Sequence, residues 1–156
     1  MGVINTTPDS FSGDGLGQDT EAAVEQGKRF AAEGADLLDI GGESTRPNAA
    51  PVSDDDELRR VIPVIERLAG EVSLPLRIDT YKWEVARQAL SAGAQMINDI
   101  WGLKHDPRLA ELAAEWKVPL ILMSNQRGRA CQDIIPEVVS DLRAGMDLAM
   151  ERGLAR

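Results

Sequence analysis

The sequence predicts an α/β fold of TIM-type (β/α) barrel architecture, incomplete in this chain. Short apolar runs alternate with amphipathic stretches of helical length, which is typical of β/α units and of a parallel sheet. Each run has a polar side chain at or just beyond its carboxyl end, and this favours a ring of loops around a barrel mouth over the single crevice of an open doubly wound sheet. A complete barrel typically has about 250 residues, whereas this chain has 156. We therefore expect one partial barrel domain spanning residues 1–156.

Five runs have the length and composition of buried strands. They are rich in Val, Ile, Leu and Met, and Gly, Pro, Ser or Asp residues bound them. The predicted strands are Met1–Asn5, Asp36–Ile40, Leu74–Asp79, Gln95–Asn98 and Pro119–Met123.

The stretches between these runs have the apolar spacing of helices. In the first, Ala23, Gly27 and Phe30 share one face, Thr20 is the expected N-cap, and Gly34 follows the last turn. Acidic residues open the second helix, where they favour the helix dipole, and a proline lies near the first turn of the fourth. The predicted helices are Thr20–Glu33, Asp54–Gly70, Trp83–Ala92, Asp106–Trp116 and a fifth from about Asp133 to Arg152.

The charge balance limits the class of partner. The chain carries 17 Lys and Arg residues against 26 Asp and Glu residues, a formal net charge of −9. Because phosphate groups are neutralised by clustered Lys and Arg, this balance argues against binding to nucleic acid or to an anionic membrane surface. No apolar run reaches the ~18 residues of a membrane span. Any anionic ligand must therefore be met by a few local donors.

The single cysteine, Cys131, cannot form an intramolecular disulfide. It also has no second Cys or nearby His with which to form a nucleophilic or metal site. No secretory signal precedes the first predicted strand. These features predict a cytoplasmic protein.

Four segments at or just after the predicted strands carry the polar groups of a candidate site. The first loop offers hydroxyl, amide and carboxylate oxygens, which suit Mg²⁺ and an anion beside it. In the second, two glycines permit close backbone approach, and Thr45 and Arg46 are donors for a carboxylate or phosphate. The segments are Asn5–Ser12, Gly41–Pro47, Ile78–Lys82 and Ile97–Ile100.

Asp79 and Asn98 end neighbouring strands and are expected to face each other across the barrel mouth. A carboxylate accepts two N–H bonds and a carboxamide both donates and accepts, which suits the amidine-like edge of a flat heterocycle. Two ordinary structural roles compete with this one. Asp79 could cap the third helix, and Asn98 could be a turn residue.

Together these segments closely resemble those of the dihydropteroate synthases in the pterin-binding barrel family. The resemblance extends from Gly2 to about Arg152 and is most specific in Thr7–Phe11 and Gly41–Pro47. It implies that the chain holds strands one to five of an eight-stranded barrel. It also implies a transferase of folate biosynthesis that joins 4-aminobenzoate to dihydropterin methyl diphosphate, releases diphosphate with the help of Mg²⁺, and forms a homodimer as a full-length protein.

The resemblance implies roles for residues of the first two loops. Asn5 would contact Mg²⁺ and the diphosphate. Phe11 would cover the aminobenzoate ring when the first loop closes. Thr45 and Arg46 would lie at the junction of the pterin and aminobenzoate sites.

The resemblance places the pterin itself on Asp79 and Asn98. As diphosphate leaves, positive charge develops on the pterin, and the Asp79 carboxylate would stabilise that charge. Asp79, Asn98 and Arg46 are therefore the predicted catalytic residues.

The chain departs from the family pattern in three places. Ser12–Gly15 shifts the acidic residue of the first loop by one position, so the role of Asp14 stays open. Leu122–Asn125 reads Leu-Met-Ser-Asn where the family has Leu-Met-His-Met. Strands six to eight are not in this chain, so we expect it alone to be inactive and to oligomerise or aggregate through its exposed strand edges.

Two other functions stay open at this point. A non-catalytic pterin-binding or structural module would form no dihydropteroate. A pterin-dependent methyltransferase barrel that serves a corrinoid protein is not expected to carry Thr7–Phe11, and this segment discriminates between the two families.

Arg77 lies inside the predicted third strand and shares the parity of Asp79. Its side chain should point into the barrel, where an isolated charge is costly. We therefore expect a buried ion pair with Asp39 or Glu43.

Overall fold

The computed structural model describes residues 1–7, 19–44, 50–126 and 133–155. Within them, five strands alternate with five helices. The strands are β1 (Gly2–Asn5), β2 (Leu38–Gly41), β3 (Leu76–Asp79), β4 (Met96–Asp99) and β5 (Leu120–Leu122). The helices are α1 (Thr20–Ala32), α2 (Asp54–Glu71), α3 (Trp83–Ala92), α4 (Arg108–Trp116) and α5 (Ile134–Glu151).

All five strands are parallel and lie in one sheet in the order in which they follow each other along the chain. Successive helices pack against each other, from α1 with α2 to α4 with α5. A doubly wound sheet reverses its strand order and carries helices on both faces, whereas a barrel keeps one order and one helical layer. The arrangement is therefore a segment of a β/α barrel, and the predicted fold class is confirmed.

The core lies between the sheet and the helical layer. Alternate strand residues face the helices and are fully buried, for example Ile4, Ile40, Ile78 and Ile97. The intervening residues face the other side of the sheet, which is the inner side of a barrel, and these include Asn5, Asp39, Arg77, Asp79 and Asn98. The period of two along each strand thus separates the apolar core from the polar inner face.

The ends of the elements differ from the predicted ones by up to two residues. Strand β2 begins at Leu38 rather than Asp36, and β3 begins at Leu76 because Pro75 has no N–H to donate and only its carbonyl pairs, with Leu38 N at 3.0 Å. The N-cap of α1 is Asp19, whose carboxylate accepts the N–H of Ala22, so the predicted cap was wrong by one residue. No helix among the described residues combines the length and apolar character that crossing a bilayer requires.

Gly27 of α1 lies where this helix packs closely against both α2 and β1. A Cβ added there would lie 2.7 Å from Leu68 Cδ2 and 3.1 Å from Ile4 Cδ1. Replacing Gly27 by Ala should therefore lower the free energy of unfolding by about 1–3 kcal/mol, because overpacking outweighs the better helix propensity of Ala.

Urea denaturation of the Gly27→Ala variant measures this loss. Gly70→Ala is the matched control, since Gly70 also lies in a helix but has no atom within 4 Å of an added Cβ. That control should gain about 0.5–1 kcal/mol. Equal effects of the two substitutions would show that the α1 contact is not tightly packed.

Candidate active site

Three of the predicted site residues lie in one row across the carboxyl ends of the strands. Asn5 of β1 is in register with Gly41 of β2, Gly41 with Asp79 of β3, and Asp79 with Asn98 of β4. Neighbouring strands are about 4.8 Å apart, so the row is short and lies on the inner face of the sheet. We call this row, which consists of Asn5, Gly41, Asp79 and Asn98, the rim. The structure therefore brings Asn5, Asp79 and Asn98 together, as predicted.

Asp79 and Asn98 are in direct contact. The Asn98 Nδ2 donates a hydrogen bond to Asp79 Oδ1 at 2.8 Å. This bond leaves the amide oxygen of Asn98 as an acceptor. On the other side of Asp79, Gly41 has no side chain, and a Cβ added there would lie 3.6 Å from Asp79 Oδ2. Because Gly41 has no side chain, no group of β2 covers Asp79 Oδ2, and a ligand can approach this oxygen from that side.

The alternative structural roles of these two residues are wrong. The N-cap of α3 is Lys82, whose side chain makes no capping bond, so Asp79 is not the cap. Asn98 is a residue of β4 rather than of a turn. Asp99, by contrast, is fully buried on the opposite face and accepts the backbone N–H groups of Trp101 and Leu103 at 2.8 and 2.6 Å. It shapes the turn after β4 and does not belong to the rim.

Burial dominates the electrostatics of Asp79. Desolvation, with a further contribution from the Asp39 carboxylate, raises the pKa of Asp79 to about 7, although Asn98 and Arg77 act in the opposite direction. Near neutral pH this carboxyl group therefore exists in both protonation states. Perturbed carboxyl groups of this kind cluster at functional sites.

Arg77 and Asp39 form a buried ion pair one layer below the rim. The Arg77 Nε lies 2.6 Å from Asp39 Oδ1, and the two side chains are 12% and 8% exposed. The two residues are in register on adjacent strands. The predicted pairing of Arg77 is thus confirmed for Asp39 and not for Glu43.

The end of β1 is tied to the end of β2 by Thr6. Its backbone N–H and its hydroxyl both donate to the Gly41 carbonyl, at 2.9 and 3.0 Å. Thr7 follows, and its buried hydroxyl oxygen has no hydrogen-bond partner among the described residues. A buried hydroxyl beside the rim is a polar group that a ligand could satisfy.

Other predicted residues lie outside the described part of the chain. These are Phe11, Asp14, Thr45, Arg46 and Cys131. The departure after β5 does lie within it, and there the Ser124 hydroxyl donates to Asp141 Oδ2 of α5 at 2.9 Å.

Sequence reasoning missed a buried charge cluster behind the rim. The Lys82 ammonium lies 2.6 Å from Glu43 Oε2 and 2.6 Å from Glu57 Oε2, and the Tyr81 hydroxyl donates to Glu43 Oε1 at 2.8 Å. Glu57 is one of the acidic residues that open α2, a position where an acid is also favourable in solvent. Its spacing to Val61 and the later buried residues of α2 puts it on the apolar face, and that pattern could have identified it.

The pKa of Asp79 has a consequence for stability. An Asp ordinarily has a pKa of 3.8, so the folded protein holds this proton more tightly than the unfolded chain does. Ionisation therefore costs folding free energy, and the cost grows from about pH 4 to pH 7 and is constant above that range. The Asp79→Asn variant does not have this cost, because an Asn side chain does not ionise.

We expect the stability gain of Asp79→Asn over the natural chain to increase between about pH 4 and pH 7. The increase should be about 1.4 kcal/mol for each pKa unit that separates the folded and unfolded states. Urea denaturation at several pH values measures it, with Asp147→Asn on the exposed face of α5 as control. A gain that is independent of pH would contradict the raised pKa.

Comparison with known proteins identifies the family of this chain. The model of the pterin binding enzyme family matches residues 1–156. Dihydropteroate synthase of Bacillus subtilis is 49% identical over 154 residues, which are 99% of this chain and 54% of that protein. The chain thus spans about half the length of the curated relatives it matches.

Solved structures of dihydropteroate synthases share the fold. One from Clostridium difficile, determined in the presence of pteroic acid, matches with a TM-score of 0.91 and 41% identity, covering all of this chain and 60% of that one. One from Xanthomonas albilineans with 4-aminobenzoic acid matches with a TM-score of 0.88 and 44% identity, covering 99% and 57%. With its barrel segment and its carboxylate and carboxamide rim, this chain belongs to the family of pterin-binding enzymes.

Proposed function

We propose that the protein is a dihydropteroate synthase of folate biosynthesis, which condenses 4-aminobenzoate with dihydropterin methyl diphosphate. The observation that carries the proposal is the Asp79–Asn98 pair at the rim of a pterin-binding barrel segment. Solved structures of similar enzymes support it, since one from Xanthomonas albilineans holds 4-aminobenzoic acid and another holds 7,8-dihydropteroate. We also propose the cytoplasm as its compartment and a homodimer as the form of the full-length protein.

In this proposal the pterin binds through its amidine-like edge. Asp79 accepts N–H bonds from that edge, and Asn98, oriented by its bond to Asp79, presents its amide oxygen to a further ring N–H. The carbon–oxygen bond to diphosphate breaks, and diphosphate leaves with the bonding electron pair. The amine of 4-aminobenzoate forms the new carbon–nitrogen bond and releases its proton to water. The ionised Asp79 stabilises the positive charge that develops on the pterin during this substitution.

Asn5 is the residue proposed to hold Mg²⁺. Its amide supplies the hard oxygen ligand that this ion prefers, and Mg²⁺ commonly takes most of its other ligands from water and substrate phosphates. Among the described residues no group of three or more His, Cys, Asp and Glu side chains could hold a metal, so the fit depends on Asn5 and the diphosphate. When bound, the ion would neutralise charge on the departing diphosphate.

The remaining assignments concern residues outside the described ranges. We propose that Thr45 and Arg46 bind at the junction of the two substrates, and that Phe11 covers the aminobenzoate ring. These three roles follow from the resemblance of their segments alone.

The direct test is to incubate the natural gene product that contains this sequence with both substrates and Mg²⁺, and to measure dihydropteroate by chromatography. We expect product and released diphosphate in equal amounts. Pterin binding without product would indicate a non-catalytic module, and methyl transfer from a methylated pterin would indicate a methyltransferase. Either result would overturn the proposal.

A further inference from the structure

The Lys82 cluster is a buried and highly connected polar group outside the rim. We define it as Lys82, Glu43, Glu57, Tyr81 and the Val52 carbonyl. The ammonium donates to Glu43 Oε2, Glu57 Oε2 and the Val52 oxygen, each at 2.6 Å. Lys82 is 8% exposed and Glu57 only 1%, so water replaces none of these partners easily.

The cluster joins segments that are distant in sequence. Glu43 precedes Thr45 and Arg46 in the chain and Val52 follows them, so one ammonium holds both described flanks of that loop. Glu57 belongs to the first turn of α2. Lys82 itself stands three residues after Asp79, which ends β3. We call the segment between β2 and α2 the β2 loop. Its two described flanks are therefore bonded to one side chain that lies three residues beyond the end of β3.

A small cavity connects the cluster to the rim. It has a volume of about 10 Å³ and is lined by Glu43, Glu57, Asp79, Thr80, Tyr81 and Ile100. Asp79 and the two carboxylates that bind Lys82 thus line the same cavity, which places the cluster next to the rim.

The charges make the cluster costly to build and specific in geometry. Burial raises the pKa of Glu57, whereas burial of Lys82 alone would lower its pKa. The hydrogen bonds from Lys82 to Glu43 and Glu57 reverse that effect and raise the pKa of Lys82 above its usual value, so it stays charged. Buried ion clusters add little net stability, and one established use is to select a single arrangement of the elements they join.

We propose that Lys82 is a positioning residue that holds Glu43 and Val52, the two described flanks of the β2 loop, in place relative to Asp79. Thr45 and Arg46, which have proposed roles at the junction of the two substrates, lie between these flanks in sequence. The proposal rests on the proposed function for the identity of those substrates. It assigns Lys82 no contact with substrate.

The first test needs no ligand. Hydrogen exchange is measured by NMR in the natural gene product that contains this sequence, in its Lys82→Met variant, and in its Leu112→Ala variant, which opens a cavity in α4 away from the cluster. Lys82→Met should accelerate exchange at least tenfold at residues 42–44 and 52 while the amides of Ile78 and Asn98 keep their rates. Leu112→Ala should spare the β2 loop. No acceleration at the loop, or acceleration throughout the sheet, would overturn the proposal.

If Lys82→Met does not fold, the Glu43→Gln variant tests the same proposal. It weakens the bond from the Lys82 ammonium to residue 43 and leaves the bond to Glu57 in place. It should accelerate the same loop amides at least threefold. Unchanged exchange in this variant would likewise count against the proposal.

The second test separates positioning from general damage by substrate kinetics in the natural gene product. Lys82→Met should raise the KM for 4-aminobenzoate at least tenfold while the affinity for the pterin changes less than threefold. Parallel loss of both would indicate a merely structural role and overturn the proposal. If the unmodified protein forms no dihydropteroate, the proposed function fails, and the exchange data alone decide the role of Lys82.

Discussion

Replacing Asp79 by Ala is expected to weaken pterin binding by at least about 100-fold. The substitution removes a carboxylate that would accept two N–H bonds from the pterin edge, and hydrogen bonds to a charged group contribute about 1.5–3 kcal/mol each. A 100-fold change corresponds to about 2.7 kcal/mol, so the loss of even one such bond and part of the second is enough. Calorimetric titration with pteroic acid measures the affinity.

Two comparisons make this prediction specific. Asp147→Ala removes an exposed carboxylate on α5 and should leave the affinity unchanged. In the natural chain the affinity should also fall as the pH decreases below about 7, because burial raises the pKa of Asp79 to about 7 and a protonated carboxyl group loses its charge. An Asp79→Ala variant with natural affinity would remove this residue from the site.

Replacing Asp39 by Ala should lower the free energy of unfolding by about 3–5 kcal/mol. The substitution leaves the Arg77 guanidinium, which is only 12% exposed, without the carboxylate that lies 2.6 Å from it. Removing one partner of a buried pair leaves an uncompensated charge, and that cost exceeds the net value of the pair itself. Urea denaturation followed by tryptophan fluorescence measures the loss.

Two further variants test the cause of that loss. Glu25→Ala breaks an ion pair with Lys28 whose side chains are about half exposed, and it should cost less than about 1 kcal/mol. The double variant Asp39→Leu with Arg77→Leu should recover most of the stability, since it buries no charge. A double variant as unstable as Asp39→Ala would show that the loss comes from packing and not from the unpaired cation.

Much of the fold could be predicted because its signals are local. The bounds of α3 agree with the predicted helix, since helical spacing and strong helix formers occur together there. Ends of strands were predicted less accurately, because they depend on which backbone groups of the neighbouring strand are available. Parity also predicted that Arg77 points to the inner face and pairs there with Asp39 or Glu43, but it left the choice between these two acids open.

The candidate site divides in the same way. Asp79 and Asn98 were identifiable because each ends a strand and parallel strands bring those ends to one rim. The Lys82 cluster as a whole was not identifiable, because Lys82, Glu43 and Val52 lie in loops beyond the strand ends, where no regular spacing predicts which groups meet. For Glu57 in particular, the sequence allows two interpretations, a buried partner of a cation or a solvent-exposed acid that interacts favourably with the dipole at the helix start.

By itself the sequence determined that strands alternate with helices, which strand residues face the core, and which polar groups end the strands. These properties repeat every two or 3.6 residues and need no knowledge of distant contacts. The tertiary structure alone decided that Asp79 has a raised pKa, that Arg77 chooses Asp39 over Glu43, and that Lys82 joins both flanks of the β2 loop. Burial and charge pairing depend on how the helices pack onto the sheet, and only the folded chain brings those groups within a few ångströms of each other.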